Sequence, residues 1–132
     1  MPIVYVTDTM GPALMRWYFN RDTFNALVLY FNEPVNANLP TLANNTMTIT
    51  VATQSVVIPL QILTITYSSY QSEVSLQFNT STFDFSSLLS NKASVIYLNI
   101  TQNVFFDLAV PTNGNAAVVT FQEGSPGKIR HR

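Results

Sequence analysis

The chain has 132 residues, about the length of one domain, and its net charge at neutral pH is -1. It contains no cysteine, which excludes a disulfide scaffold, a zinc–thiolate site and a cysteine nucleophile. Charged residues make up 10% of the chain against about 25% in typical domains, and half of the Lys and Arg residues lie after residue 127. No basic face is therefore expected, and no nucleic-acid partner.

Period-two alternation of apolar and polar residues dominates the chain and predicts β-strands. It is clear in residues 13–19, 46–51, 74–78 and 95–100. β-Branched and aromatic residues fill these runs, as pleated and half-buried surfaces favour. The run ALVLYF, residues 26–31, is apolar on both faces and predicts a central strand that is covered on both sides.

A longer apolar run, VVIPLQILTITY, occupies residues 56–67. Its alternation changes near Ile62 and Leu63, which predicts a bulge or a bend. Pro59 within the run indicates an edge strand or a bulge, because proline cannot donate to a strand ladder. AAVVTF, residues 116–121, completes the set of predicted strands.

Turn signals separate these runs. NRDTFN, residues 20–25, predicts a short hairpin loop, and PTNGN, residues 111–115, carries an Asn-Gly pair that tolerates positive φ. DFSSLLS, residues 84–90, is the one helical candidate, because Asp84 can cap it and its apolar residues share one helical face.

These elements predict an all-β fold, a β-sandwich of about seven to nine antiparallel strands with one short helical turn, and a closed barrel is the alternative. Gly, Pro and polar residues near both ends divide the chain into a linker or N-terminal strand (1–10), the sandwich (11–122) and a C-terminal linker or tail (123–132). Residues 34–72 carry no charge, but polar residues interrupt them too often for a membrane span, so no membrane insertion is expected.

Two short motifs carry a resemblance to a known family. FNEPVN, residues 31–36, follows the run ALVLYF, and DLAVPTNGN, residues 107–115, follows a late strand. This order resembles the Ig-like repeat of bacterial surface-layer proteins and of giant extracellular repeat proteins of microbial eukaryotes. In that family a strand runs into an F-S/N-E-P/T-V corner, and a late strand leads to a D-L/M-A-G-N turn. The second motif departs from the pattern by the insertion VPTN between Ala109 and Gly114.

The resemblance covers residues 8–121 and implies an Ig-like β-sandwich of the kind that forms tandem extracellular arrays. It also suggests a role for the Glu33–Pro34 pair at the end of the second predicted strand. Proline has no N–H, so Pro34 is expected to end strand pairing there. Glu33 can then accept backbone N–H groups of a nearby turn and fix the corner.

The chain is not expected to be an enzyme. Its only histidine, His131, lies in the tail, and the carboxylates form no recognisable pair. A Ca²⁺ ion is the one candidate cofactor, since it binds carboxylate and carbonyl oxygens. Asp8, Glu33 and Asp107 are its candidate ligands, and structural capping of turns by these side chains is the alternative.

Three N-x-S/T sequons make Asn44, Asn79 and Asn99 candidate glycosylation sites, although chance alone gives about this number. Asn44 and Asn79 fall in predicted loops, and Asn99 lies on the strand face opposite the Ile and Leu residues. All three are expected to be accessible in a eukaryotic secreted protein.

Tyrosines are the candidate interface residues: Tyr18, Tyr30, Tyr67, Tyr70 and Tyr97. Tyrosine is enriched at protein interfaces and could also stack on carbohydrate, whereas ordinary cross-strand pairing is the alternative. The uncharged residues 34–72 favour an interface, because exposed strand edges normally carry charge.

Two function classes follow. The first is a non-enzymatic structural module of an extracellular fibre, sheath or surface layer, which packs against copies of itself or against neighbouring Ig-like domains. The second is an adhesive module at the cell surface that binds a glycan or a protein through loops or tyrosines. It predicts a monomer with a tyrosine-lined pocket or groove. A viral capsid or tail domain fits the composition equally well but fits the two motifs less well.

Overall fold

The structure is a computed structural model that describes residues 11–20, 23–37, 45–51, 53–69, 71–85, 95–108 and 113–124. Ten β-strands and one 3₁₀ helix, Leu60–Ile62, lie within these residues. In chain order the strands are β1 (Leu14–Phe19), β2 (Ala26–Phe31), β3 (Asn36–Ala37), β4 (Thr46–Val51), β5 (Gln54–Pro59), β6 (Thr64–Tyr67), β7 (Glu73–Gln77), β8 (Ile96–Ile100), β9 (Phe105–Phe106) and β10 (Val118–Gln122).

Eight of these strands form two four-stranded antiparallel sheets. The first sheet has the order β1-β2-β7-β6, and the second has the order β10-β8-β4-β5. The two-residue strands β3 and β9 pair with each other. The predicted all-β sandwich is confirmed, and the predicted strand count matches the eight longer strands.

The alternation seen in the sequence turns one face of each sheet towards a shared core. In β4, Met47 and Ile49 are fully buried, while the threonines that alternate with them are half-buried. An apolar residue at every second position is enough to make one face of the strand apolar, because successive side chains of a strand point to opposite faces. The core contains Trp17, Phe19, Leu27, Leu29, Phe31, Val74 and Leu76 from the first sheet and Met47, Ile49, Val51, Ile58, Ile96, Leu98 and Ile100 from the second.

β2 is a central strand, as predicted, and lies between β1 and β7. Its inward-facing Leu27, Leu29 and Phe31 are buried, but Val28 and Tyr30 on the other face are only half-buried. The expected cover on both sides is therefore not found among the described residues. Among these residues, the outward side chains are shielded by their cross-strand neighbours.

The chain changes sheet at the FNEPVN corner. The N–H of Phe31, the last residue of β2, donates to the oxygen of Ser72 at 2.8 Å, and the N–H of Val35 donates to the oxygen of Gln71 at 2.9 Å. Pro34 therefore interrupts the backbone contact between these segments but does not end it. After the corner, β3 pairs with β9.

One side of the sandwich is formed by the segment VVIPLQILTITY. β5 is the edge strand of the second sheet and β6 is the edge strand of the first, and the 3₁₀ helix connects them. This crossing accounts for the predicted bend near Ile62 and Leu63. Pro59, the last residue of β5, occupies the edge position that the sequence predicts.

The opposite side of the sandwich is closed by the segment that follows β10. The N–H of Gly124 donates to the oxygen of Trp17 at 2.8 Å, and the carboxylate of Glu123 accepts the N–H of Phe19 at 2.7 Å. The sandwich therefore includes Glu123 and Gly124, two residues beyond the predicted boundary. Residues 1–10 and 125–132 lie outside the described part of the chain.

Only the first two residues of the predicted helix 84–90 are described. Phe85 is fully buried and packs edge-to-face on Phe19 and Phe78, with ring centroids 5.1 and 5.6 Å apart. Within the described ranges, no helix is long and apolar enough to span a membrane.

Candidate interaction surfaces

The two candidate calcium ligands that the structure describes, Glu33 and Asp107, do not belong to a recognisable metal site within the described residues. Asp8 lies outside the described residues, Glu33 is half-buried at the β2–β3 corner, and Asp107 is buried just after β9. In the described ranges, no group of three or more His, Cys, Asp or Glu side chains could hold a metal ion.

Asp107 clamps a turn. Its Oδ1 accepts the N–H of Asn113 at 2.8 Å, and its Oδ2 accepts from the Asn113 side-chain amide at 3.1 Å. Its own N–H donates to the Asn113 oxygen at 3.0 Å. Because both carboxylate oxygens accept hydrogen bonds within the chain, turn capping accounts for this residue.

Asn115 is a buried and hydrogen-bonded polar residue in the same region, and the sequence hardly predicts its role. It is only 3% exposed, and its Oδ1 accepts the N–H groups of both Val104 and Phe105 at 2.8 Å. Its side-chain amide donates to the oxygens of Thr101 and Ala116 at 3.2 and 2.8 Å. One side chain thus satisfies four backbone groups and fixes the turn between β8 and β9. The only sequence signal is an asparagine after the Asn-Gly pair.

The sequence predicts that Gly114 is a glycine because an Asn-Gly turn needs positive φ. In the structure it is a glycine because a side chain would not fit at this position. Gly114 does not have a positive φ; Asn103, on the facing turn, has φ 60° instead. A Cβ atom on Gly114 would lie 2.3 Å from Asn103 Oδ1 and 2.9 Å from Asn103 Cα. The glycine therefore permits the close approach of two turns.

We expect Gly114→Ala to lower the free energy of unfolding by about 2 kcal/mol, because the added methyl group overpacks this contact. Urea denaturation followed by circular dichroism measures the change. Ala117→Ser, which adds one atom at an exposed position near the same turn, serves as the control and should cost under about 0.5 kcal/mol. Equal costs for the two variants would contradict the packing role of Gly114.

The candidate glycosylation sites differ in their surroundings. Asn79 is exposed in the turn after β7, and its Oδ1 accepts from the N–H and the hydroxyl of Ser81 at 2.9 and 2.7 Å. Asn99 is half-buried on the outer face of the second sheet, where its Oδ1 accepts the N–H of Thr120 at 2.8 Å. Asn44 lies outside the described residues. Asn79 is thus the more accessible of the two described sequons.

Tyr18 and Tyr30 form a cluster on the outer face of the first sheet. Their rings meet edge-to-face with centroids 6.0 Å apart, and the guanidinium of Arg16 lies 4.4 Å from the centroid of Tyr30. The cation therefore occupies a face of the Tyr30 ring. Perpendicular rings do not form a flat platform for stacking a sugar, so cross-strand pairing accounts for these two tyrosines.

The other candidate tyrosines lie elsewhere. Tyr97 is on the outer face of the second sheet, and Tyr67 is on the edge strand β6, where its hydroxyl accepts the N–H of Ala37 at 2.8 Å. Tyr70 lies outside the described residues. The described tyrosines therefore do not share one surface.

One groove that the described residues form is also not lined by tyrosine. It has a volume of about 580 Å³ and is bounded by residues 11–14, 102–103, 114–119 and 121. A smaller groove of about 360 Å³, at residues 62, 64, 77–79 and Asn25, contains no tyrosine either. Neither groove is therefore the tyrosine-lined groove that the adhesive-module hypothesis predicts.

The second sheet has an outer face without charge. None of its strands β4, β5, β8 and β10 contains Asp, Glu, Lys or Arg. Residues paired across antiparallel strands share a face. The register therefore places two rows of outward side chains next to each other, Gln122, Tyr97, Thr50 and Ser55 in one and Asn99, Thr48 and Val57 in the other. We call these residues the neutral face.

The first sheet differs, because its outer face carries Arg16 on β1 and Glu73 on β7. The uncharged run 34–72 signals part of the neutral face in the sequence. The contribution of β8 and β10 becomes visible only when β8 is paired with β4 and β10 with β8.

Comparison of the chain with protein-family models, with curated proteins and with solved structures gave no match. The functional proposal therefore rests on the residues of this chain and on the resemblance of its two motifs.

Proposed function

We propose that this protein is a non-enzymatic structural module of the Ig-like type, part of an extracellular fibre, sheath or surface layer. It works by packing against copies of itself or against neighbouring domains. The observation that carries this proposal is the neutral face, which covers a four-stranded sheet with Thr, Ser, Asn, Gln, Tyr and Val side chains.

A face of this composition can be buried against another protein surface at low cost in free energy. Removing a charged group from water costs far more than removing a hydroxyl or an amide that finds a hydrogen-bond partner. The cores of protein interfaces are accordingly depleted in charged residues and enriched in tyrosine. Tyr97 lies within the neutral face with Thr50 and Gln122 as its cross-strand neighbours.

The extracellular setting is supported by the resemblance to surface-layer and giant extracellular repeats. The described part of each motif of that resemblance adjoins the β3–β9 pair. The end of FNEPVN forms β3, which pairs with β9 immediately before DLAVPTNGN, so that Asn36 lies opposite Phe106. This pairing brings the described parts of the two motifs together although they are about 70 residues apart in the chain.

The test is to place a charge in the centre of the neutral face. Thr50 is half-buried on the central strand β4, with its hydroxyl 3.0 Å from that of Ser55. We expect the wild-type chain to assemble with rising concentration, and Thr50→Lys to weaken that assembly roughly tenfold or more, because the lysine must be desolvated in the contact. Sedimentation velocity and electron microscopy of the full chain measure this.

Ser75→Lys is the matched control. Ser75 is half-buried on a central strand of the other sheet, β7, and its cross-strand neighbours are Val28 and Thr66. This variant should assemble like the wild type. If both lysine variants behave alike, the neutral face is not the packing surface.

A further inference from the structure

Within the described residues, three of the four edge strands of the two four-stranded sheets are protected against pairing with another strand. On β1, the outward oxygen of Trp17 accepts the N–H of Gly124, and the N–H of Phe19 donates to Glu123. β1 also carries Arg16 and a register shift near its start. Charges, bulges and covering segments are the usual means by which sheets block their edges.

β10 and β6 are protected in other ways. The register of β10 shifts between Val118 and Phe121, and Thr120 within it has a φ of 47°. Such a bulge breaks the straight row of backbone groups that a partner strand would need. β6 has only four residues, and its end is held by the Tyr67 hydroxyl that accepts the N–H of Ala37.

β5 has none of these protections. All six of its residues pair with β4 without a register shift, and none is charged. Its one proline is the terminal Pro59. Val57, in the middle of the strand, is 54% exposed. Among the described strands, β5 is thus the long, regular and uncharged edge.

The hydrogen-bond pattern shows which backbone groups of β5 point outward. The N–H of Leu60 donates to the oxygen of Asn45, so this pair is hydrogen-bonded across the β4–β5 ladder. Hydrogen-bonded and non-hydrogen-bonded pairs alternate in antiparallel strands. Ser55, Val57 and Pro59 are therefore at non-hydrogen-bonded positions, with their backbone groups directed away from β4. Proline is tolerated at such a position because its missing N–H would face outward.

We propose that β5 pairs edge to edge with β5 of a second copy of this chain, antiparallel and about a two-fold axis at Val56. Ser55 of each copy then exchanges both backbone hydrogen bonds with Val57 of the other. The second sheets of the two copies become one continuous sheet, and their neutral faces become one surface. The inference deepens the packing role proposed above, on which it rests, by naming the contact.

The properties of the β5 edge favour a second copy of this chain as its partner. A partner strand must be regular, extended and uncharged and must present outward backbone groups, and on the described chain β5 is the strand that does so. Antiparallel pairing about a two-fold axis uses the same edge of both copies, so one strand supplies both halves of the contact. The absence of charge on β5 also removes the like-charge repulsion that normally opposes self-pairing.

The first test adds a charge to this edge. In the proposed pair, the residues at position 57 of the two copies are diagonal neighbours about 7–8 Å apart on one face of the sheet. We expect the wild-type chain to form a dimer in sedimentation velocity and Val57→Lys to weaken it roughly tenfold through charge repulsion. Val119→Lys is the control, because Val119 is 71% exposed on another edge strand, and it should leave dimerisation unchanged.

The second test checks whether the two Val56 residues meet at the proposed two-fold axis. In a non-hydrogen-bonded antiparallel pair the Cα atoms are about 4.5 Å apart, within the range that a disulfide spans. The chain has no cysteine of its own. Val56→Cys should therefore cross-link under mild oxidation into a species of twice the 14.7 kDa chain mass. Val119→Cys, at the more exposed position, should form no covalent cross-link, whereas random collisions would cross-link it first.

The outcomes separate this inference from the packing role. Val57 also belongs to the neutral face, so the cross-link is the result that separates the two contacts. An assembly in which Val56→Cys does not cross-link, or which cross-links through Val119→Cys instead, overturns β5 pairing and leaves the packing role standing. A monomer at all concentrations overturns both. A monomer in which the amides of residues 55 and 57 resist hydrogen exchange would mean that another segment of the same chain covers β5, which also overturns the proposal.

Discussion

Asn115→Ala should lower the free energy of unfolding by about 3 kcal/mol. The substitution leaves the N–H groups of Val104 and Phe105 without their acceptor inside the protein, and each buried unsatisfied group costs about 1–3 kcal/mol. The oxygens of Thr101 and Ala116 lose a donor as well. For a domain whose total stability is of the order of 5–15 kcal/mol, this is a large fraction.

Urea denaturation followed by the fluorescence of Trp17, the only tryptophan, measures this loss. Asn79→Ala is the control, because the Asn79 side chain also accepts two hydrogen bonds but does so in an exposed turn. Water replaces the lost partners there, so the control should cost under about 1 kcal/mol. A similar small cost for Asn115→Ala would show that water reaches the turn between β8 and β9 and that Asn115 does not fix it.

Trp17→Ala should have the second large effect, a loss of about 4 kcal/mol. Trp17 is fully buried in the core between the sheets. Its indole Nε1 also donates to the oxygen of Phe121 at 2.9 Å, which ties β1 of the first sheet to β10 of the second. The substitution thus creates a cavity and breaks a link between the two sheets.

Trp17→Phe separates these two contributions. It keeps most of the packing but removes the indole donor, so we expect a smaller loss, about 1–2 kcal/mol. Tyr18→Ala is the neighbouring control, since Tyr18 is 43% exposed on the opposite face of β1. Thermal unfolding followed by circular dichroism measures all three variants. A Trp17→Ala loss no larger than that of Tyr18→Ala would contradict the inward orientation of Trp17.

Period-two alternation predicted the strands well because burial of one sheet face is recorded locally, in every second residue. The runs that became β4, β7 and β8 show this, as does the edge position of Pro59. β2 shows the limit of the same reasoning. Its apolar residues on both faces predicted cover on both sides, yet in the described part of the chain Val28 and Tyr30 lie beside side chains from the neighbouring strands and under no second layer.

The candidate site residues were less predictable, because their roles depend on partners far away in the sequence. Gly114 is a glycine because the turn at Asn103 lies against it, and not because its own φ is positive. The tyrosines were grouped by residue type, whereas strand order places Tyr18 and Tyr30 on one sheet and Tyr97 on the other.

The sequence by itself determined that the chain is all-β, where most of its strands lie, and that a long central stretch lacks charge. These properties are local, since they depend on alternation, turn residues and composition. The tertiary structure decided which strands are neighbours. Only that pairing joins β8 and β10 to the uncharged β4 and β5, leaves β5 as the unprotected edge and buries Asn115 among backbone groups that need it. Pairing brings together residues that are far apart in the chain, and no local pattern records which segments will meet.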